Sequence, residues 1–208
     1  MPLVDTDGLF HIFTFLHFNF RLMRYVALPR GINVTGSNMI KMTELKAAFE
    51  SLGFDNVVSY INSGNIAFDV PTLQKPARSK GARGVETALV SMIEAAMEKD
   101  FGKPIPAFVR KQKDILRVLK NNPFDGQYES HKEMHVLFLH DNMPDDKRDQ
   151  LIAAAPEGER FEVRGREIYC HLKLGVAGSL LGKGFIERKL KTPFTARNWR
   201  TVERLVWL

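Results

Sequence analysis

From Met23 onward, short apolar blocks alternate with stretches in which apolar residues recur every three or four positions, the signature of strands exchanging with amphipathic helices. Residues 25–28 form a brief, unbroken apolar run that opens into a turn rich in glycine and asparagine, as a mid-sheet strand does. Thr43 stands where it can cap a helix that sets Leu45, Ala48, Phe49 and Leu52 on one face and stops at Gly53. Two strands, 57–61 and 66–70, flank Asn62-Ser63-Gly64-Asn65, a hairpin signal because Asn and Gly tolerate positive φ. A basic loop rich in Pro and Gly, 71–84, leads to a helix with Leu89, Met92, Ile93, Ala96 and Met97 along one side, and a strand follows at 105–110. The order strand-helix-strand-strand-helix-strand is the ferredoxin-like arrangement.

The same order recurs. A connecting helix at 113–120 ends at Asn121, Asn122 and Pro123, and a strand follows at 134–140. Asp145 or Asp146 opens a helix that runs to Ala155, and strands at 161–163 and 167–172 pair around Arg164-Gly165-Arg166. A helix is expected over 181–190, then a short strand at 194–197 and a last helix at 199–208 that puts Trp199, Val202, Leu205 and Val206 on one side. Glu98-Lys99-x-Phe101-x-x-Pro104-x-x-Ala107 matches Glu187-Arg188-x-Leu190-x-x-Pro193-x-x-Ala196 at identical spacing, and both segments end a helix and begin a strand, which points to an internal duplication. The expected fold is α+β, two ferredoxin-like halves packed together with a carboxy-terminal helix. The halves occupy 23–112 and 133–208, joined by a connector at 113–132.

Residues 1–22 stand apart. The segment 8–20 holds five of the fifteen phenylalanines, yet it is shorter than the roughly 20 apolar residues that span a bilayer. Asp5 and Asp7 replace the positive start of a secretory signal. The segment reads as an extension outside the core, with a membrane-surface anchor as its rival.

Net charge is +6 and the pI about 9.5, which favours phosphates, nucleic acid or an anionic substrate over cationic partners. Cys170 is the single cysteine, so no internal disulfide can form and a reducing cytoplasm fits. In a ferredoxin-like half the third strand lies between the first two, so the turn leaving the first strand neighbours the hairpin joining the second and third. That topology places Arg30, Gly31, Ile32 and Asn33 beside Asn62, Ser63, Gly64 and Asn65, a cluster of backbone N–H groups, amides and one guanidinium suited to phosphate or carboxylate. The bland alternative is that these amides only satisfy turn backbones. A second basic stretch, 183–204, has seven cationic residues against Glu187 and Glu203, with Asn198 able to cap the last helix and Arg197 and Arg200 beside its start. There the alternative is a helix fixed to the sheet by Arg197 and Asn198, its other charges solvated.

No catalytic constellation emerges. Cys170 and His171 are adjacent on a strand and point to opposite faces, so they cannot act as nucleophile and base. His131 and His135 precede a strand and lack the glutamate placement of a metalloprotease helix, so no metal site is expected. Residues 178–184 (GSLLGKG) miss the phosphate-loop pattern at Ala177 and Gly184, and no cofactor is implied. The third strand carries one aromatic, Phe68, against the aromatic series of RNA-recognition sheets.

RGIN at 30–33, KMTEL at 41–45, YINSGNIAF at 60–68, FEVRGREIY at 161–169 and FIERKLKTPFTARNWRTV at 185–202 together resemble domain-of-unknown-function family 1697. The resemblance implies a bacterial cytosolic protein of compact α+β fold and carries over no activity, cofactor or catalytic residue. The chain departs from the family pattern at Pro29, Thr35, Met39 and Leu180; the last two stand where lysine is common, which weakens any phosphate role there. The leading functional expectation is a non-enzymatic binder of an anionic ligand (nucleotide, phosphate or nucleic acid) through Arg30, Asn33, Asn62, Ser63, Asn65, Arg197, Asn198 and Arg200. Its rivals are an enzyme acting on a small phosphorylated or carboxylated substrate, which needs a general acid or base near the loops, and a self-associating structural protein.

Overall fold

The computed structural model describes residues 23–34, 39–71 and 81–208, with backbone alone at 81 and 82. The expectations for 1–22, for Thr35 and for most of the 71–84 loop lie outside the described residues. The first half runs β1 (Met23–Pro29), α1 (Met42–Ser51), β2 (Asp55–Tyr60), β3 (Asn65–Val70), α2 (Gly81–Phe101) and β4 (Ala107–Lys111). After the connecting α3 (Gln112–Lys120), the second half runs β5 (Met134–Leu139), α4 (Asp145–Ala154), β6 (Glu159–Arg164), β7 (Glu167–Leu172), α5 (Phe185–Arg188) and β8 (Phe194–Asn198), and α6 (Trp199–Leu205) closes the chain.

Each half forms one four-stranded antiparallel sheet, ordered β2-β3-β1-β4 and β6-β7-β5-β8. The central strands are buried on both sides. Tyr25 and Ala27 of β1 face a core with Leu45 and Phe49 of α1 and Leu89, Ile93 and Met97 of α2. Val26 and Leu28 point the other way, into a core shared with Val136 and Phe138 of β5, Tyr169 of β7, Ile115 and Val118 of α3, and Trp199, Val202 and Leu205 of α6. Leu137 and Leu139 of β5 face a third core with Leu151 of α4 and Ile186 of α5. The two sheets thus share one core, to which α3 and α6 also contribute, with α1 and α2 on the far face of the first sheet and α4 and α5 on that of the second, which is why residues 25–28 are apolar without alternation.

Several local expectations are corrected. The helix expected over 181–190 is a single turn, 185–188, reached through turns. A Cβ on Gly182 would lie 2.1 Å from the Val176 carbonyl oxygen, and Gly184 enters α5 at φ +68°, so this segment is a compact glycine turn rather than the start of the expected helix. Thr43 lies inside α1, whose N-cap is Lys41 with no side-chain cap. In the turn between β2 and β3 the positive φ angles fall on Ile61 (51°) and Gly64 (76°), and not on Asn62 or Asn65. A β-branched residue in the left-handed region is a backbone outlier. Cys170 is fully buried in the third core, where burial pushes its thiol pKa up and leaves it a packing residue.

Gly64 is the tightest point of the hairpin, because a Cβ there would stand 2.2 Å from Ile32 Cδ1. Gly64→Ala should therefore destabilise the chain by about 1–3 kcal/mol through overpacking and the unfavourable φ, read as a lower urea midpoint at unchanged slope. A midpoint equal to that of the parent would contradict the crowding.

Candidate functional site

The loops that the topology brings together do meet. Asn33, at φ 53°, holds its own turn with Oδ1 accepting from Ile40 N (2.7 Å) and Nδ2 donating to Ile40 O (2.9 Å). The same Nδ2 donates to Asn62 O (2.7 Å), which ties the β1–α1 turn to the β2–β3 hairpin. Asn65 begins β3 fully buried, and its Nδ2 donates to Tyr60 O and Ser63 Oγ, each at 3.1 Å.

Arg197 joins them from the second half. Its Nε donates to Asn65 Oδ1, its Nη1 to Thr195 Oγ1 and Ala196 O (both 2.8 Å), and its Nη2 to Pro29 O (3.0 Å) and Ser63 O (3.4 Å). A guanidinium has five N–H groups, so every donor is used, and every acceptor is uncharged. Burial draws its pKa down to about 10. Arg30 turns elsewhere: its guanidinium pairs with Glu187 of α5 and lies 5.8 Å from the Phe194 ring centroid. Its backbone N–H donates to Pro106 O (2.8 Å).

Of the expected residues, Asn33, Asn62, Ser63, Asn65 and Arg197 form one hydrogen-bonded cluster. Arg30 sits at its margin, engaged with Glu187. Asn198 is exposed and caps α6, its Oδ1 accepting from Thr201 N (2.8 Å), and Arg200 is exposed on that helix. Among the side chains, Asn62 and Ser63 remain the most available to a ligand, since Asn62 is exposed and Ser63 half-buried.

A counterpart lies at the matching place in the other half. Arg110 of β4, 2% exposed, donates through Nη2 to Leu139 O and through Nε to Glu167 Oε1 (2.8 Å). Each half thus sends a buried arginine from its last strand to the end of the other half's central strand and to the first residue of the strand beside it. The difference is that Arg110 meets a carboxylate where Arg197 meets an amide. Burial lowers the Arg110 pKa and Glu167 acts against that shift.

A family model described as "Protein of unknown function (DUF1697)" matches residues 22–169. The chain belongs to this family. The carboxy-terminal segment with Glu187, Arg197 and Asn198 lies beyond the matched residues. Among solved structures, the chain is similar to the conserved bacterial protein SP0830 from Streptococcus pneumoniae, with 22% identity, a TM-score of 0.66, and coverage of 89% of this chain and 98% of that one. That likeness concerns the fold. Comparison with curated proteins finds no match.

Arg110, Arg166, His140 and Glu187 were not among the candidate site residues read from sequence. Arg110 directly continues the apolar run Ala107-Phe108-Val109, and its place on that strand is the signal that could have marked it as buried. Substituting Arg197 tests the clasp. Arg197→Lys keeps the charge but has three donors and no planar fork, so it should cost about 2 kcal/mol or more in denaturant-measured stability. The deficit should shrink as pH rises toward 10. Desolvation depresses the lysine pKa in the folded state, so the unfolded state binds the extra proton and stability rises with pH.

Proposed function

We propose that this protein binds a small anionic ligand, such as phosphate or the phosphate group of a nucleotide, at the surface where the β1–α1 turn meets the β2–β3 hairpin. The observation that carries the reading is the buried charge of Arg197, surrounded by neutral acceptors only. A unit anion ~8 Å from such a charge gains about 2 kcal/mol at an effective dielectric of 20. Exposed Asn62 and half-buried Ser63 lie over it, and Arg30 stands at the margin. The carboxylate of Glu187 on Arg30 stands in for an oxyanion. The outlier backbone at Ile61 adds support, since strain of this kind gathers at ligand-binding segments.

Nucleic acid is the weaker version of this reading. Base-stacking proteins of similar topology use an open sheet face, and here Val26, Leu28 and Ala67 are covered by the second sheet. An enzyme acting on a small phosphorylated or carboxylated substrate has one observation in its favour, His140 in a cleft elsewhere on the molecule. Among the described residues no helix is long and apolar enough to cross a membrane.

Thermal-shift titration with inorganic phosphate, nucleoside monophosphates and oligonucleotides is the test. A ligand at a hundred times its Kd should add about 2.7 kcal/mol of stability. Glu187→Gln, which releases Arg30, should tighten phosphate binding, and Arg30→Gln should weaken it about tenfold, the equivalent of one charge-assisted contact. Identical affinities in both variants would sink the proposal. If oligonucleotides bind instead, with affinity falling steeply in salt, the nucleic-acid version replaces it.

A further inference from the structure

The matching end of the second half holds a cavity of about 330 Å³ between α2 of one half and the β5 and β6–β7 ends of the other. Its charged lining is Arg83 and Glu86 of α2, Arg110 of β4, Asp141 after β5, and Arg166 in the β6–β7 turn, with His140 among them. The His140 ring is stacked on Phe108, centroids 4.0 Å apart and planes at 19°, so Phe108 fixes the imidazole in place. Arg166 gives one N–H to Glu86 Oε2 (2.8 Å), and Arg83 gives one to Asp141 Oδ1 (2.8 Å). Each arginine therefore keeps further N–H groups beyond its carboxylate. Arg110 is already engaged with Glu167, Leu139 O and Val109 O.

We propose that this cleft is a second site, distinct from the turn cluster around Asn62, which takes a phosphate monoester with Arg83 and Arg166 as charged partners and the His140 imidazole as a hydrogen-bonding partner. Two arginines on separate elements suit a group with three terminal oxygens and a charge near −2 at neutral pH. A carboxylate offers two oxygens and one charge and is the poorer match. The volume lies at the lower end of small-ligand pockets, about 300–1,000 Å³. Desolvation keeps the His140 pKa below its ordinary value, and of its charged neighbours Arg110 and Arg166 lower it while Glu94 and Asp141 raise it. An arriving dianion favours the imidazolium, so binding and His140 protonation are coupled.

The experiment is an NMR titration of the histidine Cε1–H resonances of the full chain at constant ionic strength, with inorganic phosphate, phenyl phosphate and acetate. The expected result is a saturable shift at His140 with both phosphates, and a His140 titration midpoint that moves to higher pH in their presence. Arg83→Gln, at an exposed position, should weaken the response about tenfold with the thermal midpoint of the free protein within a few degrees of the parent, and Arg166→Gln should weaken it likewise. Arg30→Gln should leave it unchanged, which separates this site from the one proposed above. Equal responses to acetate and phosphate, a shift that never saturates, or a response indifferent to Arg83→Gln would each overturn the proposal.

Discussion

Two buried guanidinium groups hold the halves of this protein in register. Arg197 closes the end of β1 and the start of β3 from the far sheet, and Arg110 does the same to β5 and β7. Apolar packing between the sheets, through Val26, Leu28, Phe108, Val136 and Phe138, supplies area but little direction. The arginines supply direction, because a planar fork reaches carbonyls and an amide or carboxylate only in one geometry. A slip between the sheets would leave buried carbonyls unpaired, at about 1–3 kcal/mol each. The relative placement of every loop at the strand ends follows from this pair.

The same pair decides where function can reside. With the central strands covered on both faces, the accessible surface among the described residues lies on the edge strands β2 and β6 and on the turns at the strand ends. Those turns are short and polar, and they converge because β3 lies between β1 and β2, and β7 between β5 and β6. Each arginine therefore sits directly beneath the turns that could meet a ligand. A group that fixes the halves also sets the potential at the surface above it.

Much of this was legible in the chain. The short apolar runs and 3.6-residue periods gave each described strand and all helices but one their places, and the order of the elements set the hairpin at Asn62-Ser63-Gly64-Asn65 beside the turn that leaves β1. The helix over 181–190 was misjudged because its apolar spacing looks helical, whereas the glycine-rich run folds into turns that bring Gly182 against the Val176 carbonyl six residues earlier. The candidate turn residues were found together, but their allegiance was not visible. Asn33 and Asn65 turn their amides inward, and Arg30 meets Glu187, some 157 positions away. Pairing across halves depends on how the sheets face each other, and that is written in no single segment.

The two ends differ in one respect that matters. Asn65 and Glu167 begin equivalent strands and receive equivalent arginines, yet one is neutral and the other carries a charge. At the Glu167 end the cation is answered within the protein, and the surface above it presents a cleft with a stacked histidine and two further arginines. At the Asn65 end the cation is solvated by dipoles alone, which stabilise it without cancelling its field. A carboxylate at position 65 would neutralise that field, and with it the attraction on which the proposed anion site depends. The Asn65 amide accepts from Arg197 Nε without cancelling the charge, whereas the longer, charged Glu167 answers Arg110 directly, and the proposed anion site at the Asn65 end rests on that difference.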